Sequence, residues 1–248
     1  MTREFWNNRA SLGSMAGTRD LIAKQLEIEA IVRHVKDGMT ILDAGCGNGI
    51  TAMTLASVFN VDITGIDFSA KLIDSAQSAK SVSEFVGKVD FMVCDLAILP
   101  HALDFIADKY DLIYTERAII NLTNWNIQKR VIESLGHMLT PNGTYLMCEC
   151  SQDGLRRLNA LRLKVDLPVI APPQHDRYLR DDELATVDLD LAWVEDFSST
   201  YYFLSRVVNA WQAMQLGVEP SYDAPVNKLA LSLPPMGNVG QVKLWAWR

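Results

Sequence analysis

Three carboxylates, Asp43, Asp67 and Asp95, each close a short apolar run, and three glycines follow the first of them at alternate positions: Gly45, Gly47 and Gly49. A helix-compatible segment begins at Ile50 and runs to Phe59. This order reads as a strand, a turn of bare backbone and a helix start. Glycine takes positive φ without strain and lets a ligand lie against the main chain. The helix N-terminus adds free N–H donors. Dinucleotide sites want Gly-x-Gly-x-x-Gly, but here the third glycine position of that pattern is Ile50. The phosphate-loop signature Gly-Lys-Ser/Thr is absent. An acid just before the glycines repels a pyrophosphate and suits a cationic ligand. Folding alone needs no acid at the same end of three successive strands, because neighbouring like charges cost energy. A ligand with donors at three places accounts for them better.

Alternating elements must position these groups. Strands are expected at about 39–43, 61–66, 89–94, 110–114 and 144–148. The helix before the first strand runs from a Thr18 cap to about Val35, with Ile28, Ile31, Val32 and Val35 on one stripe. Another follows from about Asn126 to Leu139, with Ile127, Val131, Leu135 and Met138 on one face. Residues 97–109 read as a short connection with a helical turn, and 140–143 as a turn. Strand and helix alternating from 39 to 150 demand an α/β, doubly wound, mainly parallel sheet. Such sheets bind ligands at the carboxyl ends of their strands. Beyond Ser151 come a helix over 154–165, a proline-rich loop from Leu167 to His175, a strand over Trp193 to Phe197, a helix from Ser199 to about Gln215, and strand-like runs at Leu229 to Leu233 and Val242 to Trp247.

The segment Leu42-Asp43-Ala44-Gly45-Cys46-Gly47-Asn48-Gly49 resembles the first motif of the class I S-adenosylmethionine (SAM) methyltransferases. Asp111-Leu112-Ile113-Tyr114 resembles that family's fourth strand, and Thr140-Pro141-Asn142-Gly143 the turn before its fifth. The resemblance covers about half of the chain. It implies a Rossmann-like sheet of seven strands whose C-terminal strand is an antiparallel edge, with SAM as cofactor and S-adenosylhomocysteine (SAH) as product. It places Asp43, Gly45, Gly47, Asn48 and Gly49 at the amino-acid end and ribose of the cofactor. Asp67 would accept both ribose hydroxyls; the plainer reading is a cap for the helix from Ser69 to Lys80. Phe68 would cover the adenine face, with Asp95 at its amino group and Leu96 at the ring edge. The end of the fourth strand, at Glu116, would face the transferred methyl.

Methyl transfer to a hydroxyl also needs a proton acceptor. Glu149, His175 and Glu116 are the candidates, against the plainer readings of Glu149 as a helix cap and His175 as loop surface. Arg9, Arg117, Tyr201, Tyr202 and Arg206 are candidates for an anionic, sugar or ring-bearing acceptor. Their plainer readings are surface ion pairs and aromatic packing on the sheet. Residues 1–18 read either as a surface arm or as a lid on the cofactor cleft. No metal-ligand spacing stands out, and no Cys-x-x-Cys pair occurs among Cys46, Cys94, Cys148 and Cys150, which read as reduced thiols.

With 248 residues, a net charge of −7 and 49% hydrophobic residues, the chain is expected to form one domain over 1–248, which the resemblance implies is a methyltransferase domain. Its parts would be an N-terminal lid and helix at 1–38, a cofactor-binding core at 39–150, and substrate-side helices and last strands at 151–248. The acidic balance argues against nucleic acid. No apolar run of membrane-spanning length and no signal-peptide pattern appear, so the expected setting is cytoplasmic, with a homodimer allowed. The expected function is methyl transfer from SAM to a small-molecule or glycan acceptor, at a hydroxyl oxygen, in the manner of stand-alone bacterial enzymes. The alternatives are an RNA or protein methyltransferase, an NAD(P)-dependent oxidoreductase, and a non-catalytic nucleotide-binding protein.

Overall fold

The computed structural model describes residues 2–101 and 109–248; part of the connection expected over 97–109 lies outside them. The chain opens with helices α1 (Thr2–Arg9) and α2 (Leu21–Val32). It then alternates β1 (Thr40–Ala44), α3 (Ile50–Val58), β2 (Asp62–Asp67), α4 (Ala70–Ser81) and β3 (Lys88–Val93). After β4 (Tyr110–Glu116) come α5 (Trp125–His137), β5 (Leu139–Cys150), α6 (Gln152–Leu163), α7 (Asp181–Leu184) and β6 (Leu191–Glu195). The last elements are α8 (Ser199–Phe203), α9 (Asn209–Leu216), α10 (Pro225–Lys228) and β7 (Val242–Trp247). A π-turn, Leu204–Val208, joins α8 to α9, so the helix expected from Ser199 runs on through it.

The seven strands lie in the order β3-β2-β1-β4-β5-β7-β6. Strands β1 to β5 pair in parallel, and β7 runs antiparallel to both β5 and β6. The final strand is therefore antiparallel, as expected, but sits one place in, with β6 outside it. Chain order reverses between β1 and β4, which opens a crevice at the carboxyl ends of those two strands.

Each strand feeds two cores by alternation. Leu112, Tyr114, Leu146 and Cys148 join one face with α2 and α3; Ile113, Tyr145, Met147 and Trp245 join the other with α5. Several local expectations change. Asp20, not Thr18, caps α2, accepting from the Ala23 N–H at 3.1 Å, while Thr18 accepts from the Asp20 N–H. A side-chain oxygen adjacent to the first turn is the better cap. Residues 140–143 are absorbed into β5 as an irregularity against Tyr110. The run Leu229 to Leu233 is not a strand: Pro225 opens α10 and Leu229–Leu231 continues as a 3-10 turn. Proline at the first helical position fixes a helical φ and gives up no needed N–H.

Candidate active site

The crevice between β1 and β4 holds a cavity of ≈ 270 Å³. Asp43, Gly45, Gly47, Asn48, Asp67 and Phe68 line it, together with Asp95, Leu96, Glu116 and Arg117. Four elements bring these together: the turn after β1 and the ends of β2, β3 and β4. Gly49 stands just outside, as the N-cap of α3 with φ 77°.

Two glycines show how the turn is built. A Cβ on Gly45 (φ 90°) would stand 2.3 Å from the Cβ of Ala118, so this position must be bare for β4's loop to close against the turn. A Cβ on Gly47 (φ 56°) would meet nothing within 4 Å. The main chain at Gly47 therefore faces open space, the condition for a ligand to lie on backbone. Asp67 organises the same turn: its carboxylate accepts from the Gly47 N–H at 3.0 Å and the Ser69 N–H at 2.8 Å. A carboxylate has about four lone-pair positions, so each oxygen retains room for a ligand hydroxyl. The cap of α4 is instead Ser69, whose Oγ accepts from Leu72.

Asp43 is 2% exposed and accepts a 2.8 Å hydrogen bond from the Tyr114 hydroxyl. Burial pushes its pKa up to about 7, with the Tyr114 bond pulling against it. Asp95 is half-open and accepts from the Ala97 N–H, while Arg3 of α1 approaches it at 3.5 Å and lies 5.8 Å from the Phe68 ring centre.

The cavity wall holds a charge network that continues behind it to the buried Glu27. The Lys24 ammonium donates to Glu116 Oε1 at 2.6 Å and to Thr51 Oγ1 at 2.8 Å, and Thr51 donates to Glu116 Oε2 at 2.6 Å. Burial would raise the Glu116 carboxyl, but Lys24 and Arg117 overcome it and hold Glu116 well below the usual range. Arg117 sits at φ 52°, unusual for a residue with a Cβ, and pairs with Glu27 at 3.1 Å. Burial raises the Glu27 carboxyl against the pull of Arg117.

Lys24, Thr51 and Trp6 line the cavity and were not singled out from the sequence; neither was Glu27 behind it. One signal was present. Asp20, Lys24 and Glu27 fall at i, i+4 and i+7, on the side of α2 that also carries Ile31, and charge on a core-facing stripe needs a partner.

Other expected site residues lie elsewhere. Glu149 is fully buried beside the cavity wall, where it accepts from the N–H groups of Ala118, Ile119 and Ile120 at 2.9, 3.0 and 3.4 Å. It caps the turn after β4 rather than the next helix, and it does not face the cavity. His175 packs its ring 4.5 Å from Phe5 and stands 3.5 Å from Asp176, because α1 docks on the proline-rich loop. Arg9 hydrogen-bonds the carbonyls of Ala16 and Met15 and lies over Phe5 and Trp6, tying the N-terminal segment together. Tyr201, Tyr202 and Arg206 form a buried cluster that fixes the start of α2: Tyr201 donates to Asp20 at 2.5 Å and Arg206 at 2.7 Å. Their aromatic rings fill the space beside the sheet, as the packing reading has it.

Helix α1 and a 3-10 turn, Ala10–Met15, lie against the cavity. Trp6 lines it, Asn7 accepts from Ser69, and Asn48 donates to the Gly13 carbonyl.

The pH dependence of stability follows from Asp43 and Glu149. Burial lifts both to about 7, from 3.8 and 4.5. The native state then holds more protons than the unfolded chain between those values, so stability is full below the unfolded pKa and is lost as pH rises through the folded one. Glu116, shifted down, works in the opposite sense only on acidification. Thermal unfolding should therefore show a melting temperature that falls from pH 5.5 to pH 8. A flat or rising curve across that span counts against these burial assignments.

A doubly wound sheet with a bare glycine turn and carboxylates at three adjacent strand ends defines a class I, Rossmann-like nucleoside-cofactor fold. Comparison with known proteins narrows this. The family described as "Methyltransferase domain" matches residues 35–180. The chain belongs to this methyltransferase family. It is 29% identical over 125 residues to an O-methyltransferase of Pyrenophora dematioidea, covering 50% of this chain and 44% of that protein. It is 33% identical over 113 residues to the magnesium-protoporphyrin O-methyltransferase of Rhodobacter capsulatus, covering 44% of this chain and 49% of that protein. The chain thus spans about half the length of the curated relatives it matches. Among solved structures, the putative methyltransferase from a Haloferax volcanii complex with a methyltransferase activator superposes with a TM-score of 0.66 at 15% identity, over 100% of this chain and 98% of that one. The magnesium protoporphyrin IX methyltransferase of Synechocystis, solved with bound SAH, gives 0.56 at 16% identity, over 92% and 84%. At those identities the likeness is one of fold.

Proposed function

We propose that this chain binds SAM in the cavity between β1 and β4 and transfers its methyl group to a hydroxyl oxygen of a small molecule or glycan. One observation carries the reading. Asp43, Asp67 and Asp95 line a single cavity beside the open backbone of Gly47. Acidic strand ends around a bare turn suit a cationic nucleoside and repel a pyrophosphate. In this reading Asp67 holds the ribose hydroxyls, Phe68 and Leu96 flank the adenine, Asp95 meets its amino group, and Asp43 and the turn lie at the amino-acid end. The cofactor supplies a methyl group already activated on a sulfonium. The protein's tasks are alignment of the acceptor and exclusion of water. Of the three proton-acceptor candidates only Glu116 lines the cavity, and Lys24, bonded to it at 2.6 Å, helps hold its carboxyl well below the usual range, which makes it a weak base. Positioning rather than a strong base therefore carries the rate. The O-methyltransferase relatives and the net charge of −7 support a small, non-nucleic acceptor. Among the described residues no helix is long and apolar enough to cross a membrane. The reading takes 1–248 as one domain working in the cytoplasm, alone or as a homodimer.

The test is calorimetric. SAH should bind at one site per chain and raise the melting temperature as its concentration passes the Kd, while NADH and NADPH should do neither. Absence of SAH binding, or binding of a nicotinamide cofactor instead, overturns the proposal. Transfer of labelled methyl from SAM to a panel of hydroxylated and glycosylated compounds then identifies the acceptor.

A further inference from the structure

In the proposed pose the nucleoside lies on the ends of β1, β2 and β3, which leaves the wall past the end of β4 for the acceptor. The loop after β4 supplies Asn121 and Leu122 to that wall, and the N-terminal segment supplies Trp6 and Ala16. Both sets stand on one side. Trp6 packs edge-on to His175, ring centres 6.3 Å apart, and two residues on the Arg177 N–H donates to the Ile120 carbonyl at 2.7 Å. Arg9 lies over the Trp6 ring and hydrogen-bonds the Ala16 carbonyl.

Among the described residues, the charges around this wall are already paired. Arg117 is held by Glu27 at 3.1 Å, Glu116 by Lys24 at 2.6 Å, and Arg9 by two main-chain carbonyls. Asn121 donates to the Arg117 carbonyl at 2.8 Å. What remains is the apolar surface of Ala16 and Leu122 and the indole of Trp6. Phe5 meets that indole at 85° with centres 5.2 Å apart, and His175 meets it at 90°. A ring fixed by its neighbours is a stacking surface that loses little freedom on binding. An anion would be desolvated here without a free cation, and a polyol would bury more hydroxyls than the wall can satisfy. The weak basicity of Glu116 adds a second constraint: the acceptor hydroxyl must give up its proton easily. A phenolic hydroxyl, with a pKa of about 10, does so far more readily than an aliphatic one.

We infer that the acceptor is a neutral, planar compound with a phenol-type hydroxyl, stacked on Trp6, and that Trp6 selects it. This rests on the reading of the cavity as a SAM site and narrows its acceptor to one class. The phenolic oxygen forms the new bond to the methyl carbon as the carbon–sulfur bond breaks. That bond's electron pair passes to sulfur, and the hydroxyl proton goes to solvent.

Three probes on the SAH-saturated chain separate the terms: 2-naphthol, 2-naphthoate, which carries a charge, and methyl glucoside, which replaces the planar ring with a polyol. Calorimetry should show 2-naphthol at one site, at least about tenfold tighter than the other two. Trp6→Leu keeps apolar packing but loses the ring, and should weaken 2-naphthol roughly 3- to 10-fold. Trp6→Phe should restore it, and both variants should keep SAH affinity within about threefold. The inference is overturned, with the cavity reading left standing, by a parent that binds SAH but not 2-naphthol, or binds either other probe as tightly. Displacement of 2-naphthol by SAH also overturns it, as does an unchanged 2-naphthol affinity in Trp6→Leu or an equal loss of SAH affinity there. A parent chain that does not bind SAH removes the cavity reading and this inference with it.

Discussion

Asp67→Ala should weaken SAH binding by at least about 100-fold. In the proposed pose this carboxylate receives two ribose hydroxyls, and each hydrogen bond to a charged acceptor is worth about 1.5–3 kcal/mol. The side chain also does a second job. It ties the Gly47 and Ser69 N–H groups, so the turn after β1 and the start of α4 are held by one residue. Alanine removes the ligand contacts and frees the bare turn at the same stroke, and the two losses compound. Asp67→Asn keeps one acceptor oxygen and places an N–H₂ against donors, so it should fall between the parent and alanine. Isothermal calorimetry with SAH reads the ordering directly. An alanine variant that binds within about threefold of the parent would sink the ribose assignment. Circular dichroism on the same sample separates lost binding from lost fold.

Glu149→Ala should cost about 3–5 kcal/mol of stability, or roughly 10 °C in melting temperature for a chain of this size. Three N–H groups, from Ala118, Ile119 and Ile120, depend on this fully buried carboxyl. Each donor left without a partner in a dry interior carries its own desolvation penalty. The Ala118 side of the loop also closes on Gly45, so loosening it disturbs the cavity wall from behind. Glu149→Gln keeps one carbonyl oxygen and should cost less. The outcome distinguishes two roles that the sequence left open. A proton acceptor at the reacting centre would, when changed to glutamine, leave the melting temperature in place and lower kcat alone. A cap lowers the melting temperature first. Chemical denaturation of both variants decides the matter, and an unshifted midpoint for alanine would remove the capping account.

Much was legible in local pattern. The short apolar runs ending at Asp43, Asp67 and Asp95, the glycines after the first, and the helical stripes between them are short-range properties, and they specify β1 to β5 with their helices. Parallel strands with right-handed crossovers leave few ways to assemble such units. The strand ends therefore had to meet on one side, and the cavity lining at Asp43, Gly47, Asp67 and Asp95 follows.

What pattern could not supply was contact between residues far apart in the chain. Glu149 alternates correctly along β5, but whether its carboxyl meets a ligand or three N–H groups depends on a loop more than 25 residues away, at 118–120. Tyr201 and Arg206 look the same in sequence whether they grip an acceptor or the Asp20 cap; only folding, which brings both to the Asp20 carboxylate, shows the second. Lys24 sat unnoticed on a helix before the first strand until folding carried it to Glu116, 92 positions on. The sequence by itself determined the order of strands and helices from β1 to β5, the glycine turn and the acidic strand tips, because hydrophobic period and backbone freedom are written in adjacent residues. Tertiary structure alone decided which charges are paired, which are buried and which still face the cavity, because a charge's state depends on its neighbours in space.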